Sequence, residues 1–324
     1  MEILTEHASA TDATPSECPR RIVDAHHHLW DLKAGHYPWL QEDYDDKAFI
    51  LGEYEPLTHD FMPPEYLAAR GGAKVVATVH IEAERARGEQ LAETRWLHEI
   101  KAKWGFPNAV VAHAWLDQPD CDEMLQAHIQ YPLVRGIRCK PLTTKVPGDA
   151  PLARAGTMRD PAWQNGLALL EKYDLSLDLR VPYWHLAEAA EVTMQFPRLR
   201  IALNHVGLPW DRSEEGLADW RKGMARLADN PSVMVKLSEF GLRDSAWDYT
   251  SNARIVADVL AIFGAGRCMF GSNFPVAGLR IGYEPLVINM QRMLSGLSER
   301  QRDAVFCGNA LDFYRIGPLS PAVL

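Results

Sequence analysis

The chain has 324 residues, with 34 Lys and Arg against 43 Asp and Glu, giving a formal net charge of −9. At 47% hydrophobic and 24% charged it has a globular composition, which excludes fibrous and disordered classes. An acidic chain with no basic stripe argues against a nucleic-acid partner, and no apolar run approaches the roughly 18 residues that cross a bilayer, so no membrane partner is expected.

Residues 1–20 read as a polar, flexible N-terminal tail without a signal-peptide core, and 21–324 as a single domain. Eight short apolar or alternating runs come next, at 21–29, 73–83, 108–116, 133–140, 175–181, 200–207, 233–240 and 268–275. Amphipathic stretches at 89–104, 161–173, 184–196, 216–229 and 252–263 separate several of them. Alternation of strand and helix predicts parallel βαβ units, and eight strands predict an α/β fold of the (β/α)8 TIM-barrel type. A doubly wound open sheet is the alternative, but no glycine-rich phosphate loop follows the first run. The stretch 31–70 is too long for a plain loop and is expected to cap the mouth of the barrel. Cys18, Cys121, Cys139, Cys268 and Cys307 show no C-x-x-C spacing, which argues against a thiolate zinc cluster and fits a cytoplasmic, reducing setting.

Strand side chains alternate between lumen and helix layer, and the helix-facing parity should be apolar. In the second run that rule sends Val75, Ala77, Val79 and Ile81 outward and leaves Thr78, His80 and Glu82 inside. The fifth run leaves Ser176, Asp178 and Arg180 inside, and the seventh leaves Lys236 and Ser238. The remaining runs offer Asp24, His26 and His28, then His113 and Trp115, Arg138 and Lys140, His205, and Asn273. A lumen this polar costs roughly 1–3 kcal/mol per unpaired group, so the groups must pair with one another or serve function. The excess of cations among them hints at an anionic substrate.

His26 and His28 end the first run on one face, with His27 pointing the other way, and His205 ends the sixth. In a barrel these three imidazoles meet and converge on one ion or one substrate oxygen. Together with Gly271-Ser272-Asn273-Phe274-Pro275, Val79-His80-Ile81-Glu82, Arg135-Gly136-Ile137-Arg138, Asp160-Pro161-Ala162-Trp163 and Val181-Pro182-Tyr183-Trp184-His185, the pattern resembles the amidohydrolase superfamily. Its lactonase-type branch, with L-fuconolactone and 2-pyrone-4,6-dicarboxylate hydrolases, is the most similar.

That resemblance implies a hydrolase that opens a small lactone, one bearing a carboxylate included, with activated water. It implies that His26, His28 and His205 bind a divalent metal, zinc first, or hydrogen-bond the substrate carbonyl without one. Arg138 would hold a substrate carboxylate, with Lys140, Asp178, Arg180 and Trp184 completing the substrate site. Where most of the superfamily has an aspartate this chain has Asn273, which is a poor ligand and a poor base. Glu82 is then the expected proton acceptor, with Asp178 next. Tyr44, Tyr54 and Trp39 of the long loop are placed to cover a ring. A nonoxidative decarboxylase and a catalytically degenerate binding protein remain the alternative readings. The expected partner is a small molecule, and a homo-oligomer is left open.

Overall fold

Each of the eight apolar runs contains a strand: β1 (Ile22–His27), β2 (Val75–Ile81), β3 (Ala109–Ala112), β4 (Val134–Ile137), β5 (Ser176–Leu179), β6 (Ile201–Leu203), β7 (Val233–Leu237) and β8 (Cys268–Phe270). The computed structural model describes residues 21–149 and 155–319, so the expected tail at 1–20 lies outside the described residues. All neighbouring strands are parallel and in chain order, β1 through β8. Past the strand ends, Asn273 N donates to the His26 carbonyl at 2.7 Å and His28 N to the Phe274 carbonyl at 2.8 Å, which joins the first and last edges. This is the (β/α)8 barrel expected from the alternation.

The helices start where their caps dictate. Asp160 accepts from Ala162 N ahead of Pro161–Lys172, Ser213 from Gly216 N ahead of Glu214–Ala228, and Asp248 from Ser251 N ahead of Tyr249–Phe263. The latter two begin a few residues before the apolar periodicity does, because the cap rather than the buried face sets the first turn. Among the described residues no helix is long and apolar enough to cross a membrane.

Facing follows the parity rule in β5 and β7. Leu177, Leu179, Val233, Val235 and Leu237 pack in the helix-facing core, while Asp178 and Lys236 are buried inside the barrel. It fails in β2, where Ala77, Val79 and Ile81 share a lumen cluster with Val23, Val111 and Met269, and Thr78 and His80 face the helix layer. Register explains the reversal. Ile22 pairs with Val75 but Val23 with Ala77, so β2 carries one extra residue there. Asp24 then pairs with Thr78 and His27 with His80, so β1 carries an extra residue in turn. Each bulge flips the facing of the residues beyond it. Asp24 is therefore outside, accepting from Tyr66 OH at 2.9 Å and Tyr283 OH at 3.1 Å, while His26 and His28 still face in. Apolar parity was ambiguous in β2 because the lower lumen is apolar too, and Tyr314, with Phe313, fills its N-terminal end.

Candidate active site

Three histidines from opposite sides of the barrel come together at its C-terminal mouth. The His26 ring lies 5.1 Å from His28 and 4.6 Å from His205, centroid to centroid. Gly271 leaves the room this needs, since a Cβ there would sit 2.8 Å from the Cβ of His26. Asp24 ties the two strand ends that carry the site, accepting from Ser272 N at 2.8 Å and Ser272 Oγ at 2.6 Å. His27 points away and packs on Tyr66 and Phe106, with neither ring nitrogen bonded to a protein group.

The ring protons follow from the partners. His28 Nδ1 lies 2.8 Å from the Ile81 carbonyl, which only accepts, so Nδ1 carries the proton and Nε2 presents a lone pair. Asn273 Nδ2 donates to Glu239 Oε2 at 2.5 Å, which turns its Oδ1 toward His28 Nε2 at 3.3 Å. Two acceptors thus face each other, an arrangement that calls for a shared donor. Lys236 lies 3.5 Å from His26 Nδ1, and an ammonium only donates, so His26 carries its proton on Nε2. His205 Nδ1 lies 2.9 Å from Ser238 Oγ. Burial, reinforced by nearby cations, holds all three imidazoles well below the ordinary histidine range, so they are neutral at neutral pH.

Glu82 is brought to the mouth, where Arg138 engages it. Its Oε1 accepts from Arg138 Nε at 2.5 Å, its carbonyl from Arg138 Nη2 at 2.6 Å, and its Oε2 from Glu84 N at 2.7 Å. Burial alone would raise its carboxyl, but Arg138, with His113 and Lys140, holds it down to about 2. A carboxylate so engaged is a weak base. Lys140 pairs with Glu84, and burial lowers Lys140 to about 8. Arg180 lines the same cavity as Arg138, Lys140, His28, His205 and Asn273. The cavity measures about 280 Å³, room for a small ring, and its outer wall is Trp39, Phe49 and Tyr54 of the 31–70 stretch. Trp39 and Phe49 stack at 5.8 Å and 9°, and Trp39 Nε1 donates to the Ala83 carbonyl at 3.0 Å. Tyr44 stacks on Tyr54 at 4.3 Å.

Two expected substrate residues are placed elsewhere. Asp178 is fully buried beneath the site, bound to Lys236, to Asn204 Nδ2 at 2.9 Å and to Tyr314 OH at 3.0 Å. Trp184 packs on Trp210 and donates to Thr144 Oγ1 at 3.0 Å, lining a separate cleft with Pro147 and Tyr183. One residue was missed. Glu239 follows β7 in the outward parity, but its φ of +47° turns it back against Asn273. Glu84, His205 and Asn273, each just past a strand end, share this positive φ. Such strain costs on the order of 1–3 kcal/mol per residue and collects at functional sites.

The donor set does not suit a resident dication. His28 and Asn273 aim lone pairs at a common point, but His26 carries a proton where a third ligand would bind, and Arg138, Arg180 and Lys236 surround the cluster. Among the described residues no three His, Cys, Asp or Glu side chains are grouped to hold a metal.

A barrel with chemistry from several strand ends at its C-terminal mouth defines a TIM-barrel enzyme class. Residues 23–316 match the amidohydrolase family, and the chain belongs to it. It is 34% identical over 295 residues to an uncharacterised protein, y4mH, of Sinorhizobium fredii, covering 91% of this chain and 98% of that one. It is 29% identical over 303 residues to L-fucono-1,5-lactonase of Burkholderia ambifaria, covering 91% and 95%. Among solved structures it resembles an amidohydrolase of Burkholderia multivorans, with a TM-score of 0.74, 25% identity, and 91% and 99% of the two chains covered. That relative was crystallised with HEPES bound, and in another crystal form, 24% identical, with zinc. Family and relatives support a hydrolase, and the lactonases among those relatives support lactone opening.

Proposed function

We propose that this protein opens a small lactone by adding water to its carbonyl carbon, without routing the step through a metal. The observation that carries this is the facing pair of acceptors, His28 Nε2 and Asn273 Oδ1, at the cavity floor beside His205. A water donating one hydrogen to each is held with its lone pair toward the ring carbonyl. With Ser238 donating to His205 Nδ1, His205 Nε2–H faces the carbonyl oxygen and, with the field of Arg138 and Arg180, stabilises the developing oxyanion. The water oxygen bonds the carbonyl carbon while its proton passes to His28 Nε2. The ring C–O bond then breaks, and His28 returns the proton to the departing ring oxygen, giving a hydroxy acid. Trp39 and Phe49 cover the ring face and exclude bulk water.

Protein stripped with chelator should acidify a weakly buffered indicator solution when given small lactones, and His28→Asn should lose at least about a hundredfold in kcat, a loss typical for general-base removal. Release of carbon dioxide in place of acid would move the protein to the decarboxylases. Ligand binding without any turnover would make it a degenerate binding protein, and restoration of a lost activity by added zinc would overturn the metal-free route.

A further inference from the structure

Among the described residues three cations line the cavity, and two are already answered. Arg138 spends Nε and Nη2 on Glu82, and Lys140 is paired with Glu84. Arg180 makes no hydrogen bond or ion pair with any described residue, although it projects from the end of β5 into the same cavity. The carboxylates that act on it most, Glu84 and Glu82, are the ones the other two cations hold. The cap adds Asp43 and Asp45 at the outer rim, and Asp45 Oδ1 is taken by the Lys47 and Ala48 amides at 3.0 and 3.1 Å. The guanidinium is half-buried and its nitrogens stay open to the cavity, so its fork is free to take an anion there.

We propose that the site selects lactones carrying a carboxylate on the ring, and that Arg180, rather than Arg138, binds it. This rests on the lactone reading and deepens it. The planar fork of Arg180 takes both carboxylate oxygens, whereas Arg138 has only its outer nitrogen to offer. Arg180 and His205 line the same cavity, and the guanidinium helps to hold that imidazole unprotonated. A carboxylate on Arg180 is then held in the cavity that His205 and Trp39 also line. Lactones of neutral sugars, such as the one named for the Burkholderia ambifaria relative, leave the fork of Arg180 without a partner.

The test is a charged and neutral pair on one ring, 5-oxotetrahydrofuran-2-carboxylate against 5-(hydroxymethyl)dihydrofuran-2-one, assayed with wild type, Arg180→Met and Arg180→Lys. Wild type should favour the carboxylate by at least about tenfold in kcat/KM, with the preference shrinking as salt rises. Arg180→Met should lower kcat on both lactones alike, through the lost field at the oxyanion, and raise KM for the acid alone, which erases the preference, and Arg180→Lys should keep part of it. Equal losses of kcat/KM on both substrates, or a wild type that prefers the neutral one, would overturn the assignment while leaving lactone opening intact. If neither lactone opens, calorimetry with unreactive tetrahydrofuran-2-carboxylate decides separately. Binding that Arg180→Met abolishes supports the anion site while the reaction reading falls, and no binding by wild type sinks both.

Discussion

Asn273 and Glu239 act as one unit, because the carboxylate fixes which end of the amide faces His28. Burial pushes Glu239 from 4.5 up to about 7. Between those values the folded chain keeps a proton that the unfolded chain has released, so stability falls as pH rises through that window and is level above it. Glu239→Gln should flatten that slope, by on the order of 3 kcal/mol at most, when urea midpoints at about pH 5 and about pH 8 are compared. A slope unchanged by the substitution would show that Glu239 titrates normally. The same pair predicts that restoring an aspartate harms the protein. Asn273→Asp sets two carboxylates in contact and should cost about 1–3 kcal/mol above neutral pH, recovered when Glu239→Gln is added. Additive losses in the double variant would count against the coupling.

Among the elements, the 31–70 segment is made of short helices joined by loops and is held by side chains reaching out from the barrel. Arg243, past β7, donates to the carbonyls of Asp46 at 2.8 Å, Lys47 at 2.9 Å and Phe49, and Arg280 donates to that of Leu51. On the opposite edge Glu93 accepts from Ala83 N at 2.9 Å, fixing the carbonyl to which Trp39 donates. Arg243→Ala should therefore raise KM by roughly three- to tenfold with kcat nearly intact, and speed amide exchange over 45–52. A fall in kcat at constant KM would place Arg243 in the chemistry instead of the cap. The length of this segment announced a cap, but the cap's anchors could not be read from sequence. Arg243 and Arg280 bond backbone carbonyls far along the chain, which leave no mark in residue type.

At the scale of the molecule, the site at one end of the barrel is propped from the other. Tyr314 enters from the C-terminal helix and donates to both oxygens of Asp178, at 3.2 and 3.0 Å, while Asp178 also holds Lys236, the neighbour of His26. Tyr314→Phe should cost about 1–3 kcal/mol in chemical denaturation, since it strips hydrogen bonds from a fully buried carboxylate. Its effect on kcat/KM should stay within about twofold, because Tyr314 touches neither cavity nor reacting groups. A large kinetic loss in a stable variant would show that the floor network tunes His26.

By itself the sequence determined the alternation of strand and helix, the barrel, and the meeting of His26, His28, His205 and Asn273 at one mouth. Those follow from local periodicity and from the rule that strand ends converge when a parallel sheet closes. The tertiary structure alone decided which face Asp24, Thr78 and His80 occupy, that Asp178 lies under the site, and that Glu239 turns back to meet Asn273. Bulges and positive φ angles at strand ends are set by register between strands distant in sequence. A single extra residue there reverses every facing beyond it, and no property of that residue alone reveals it.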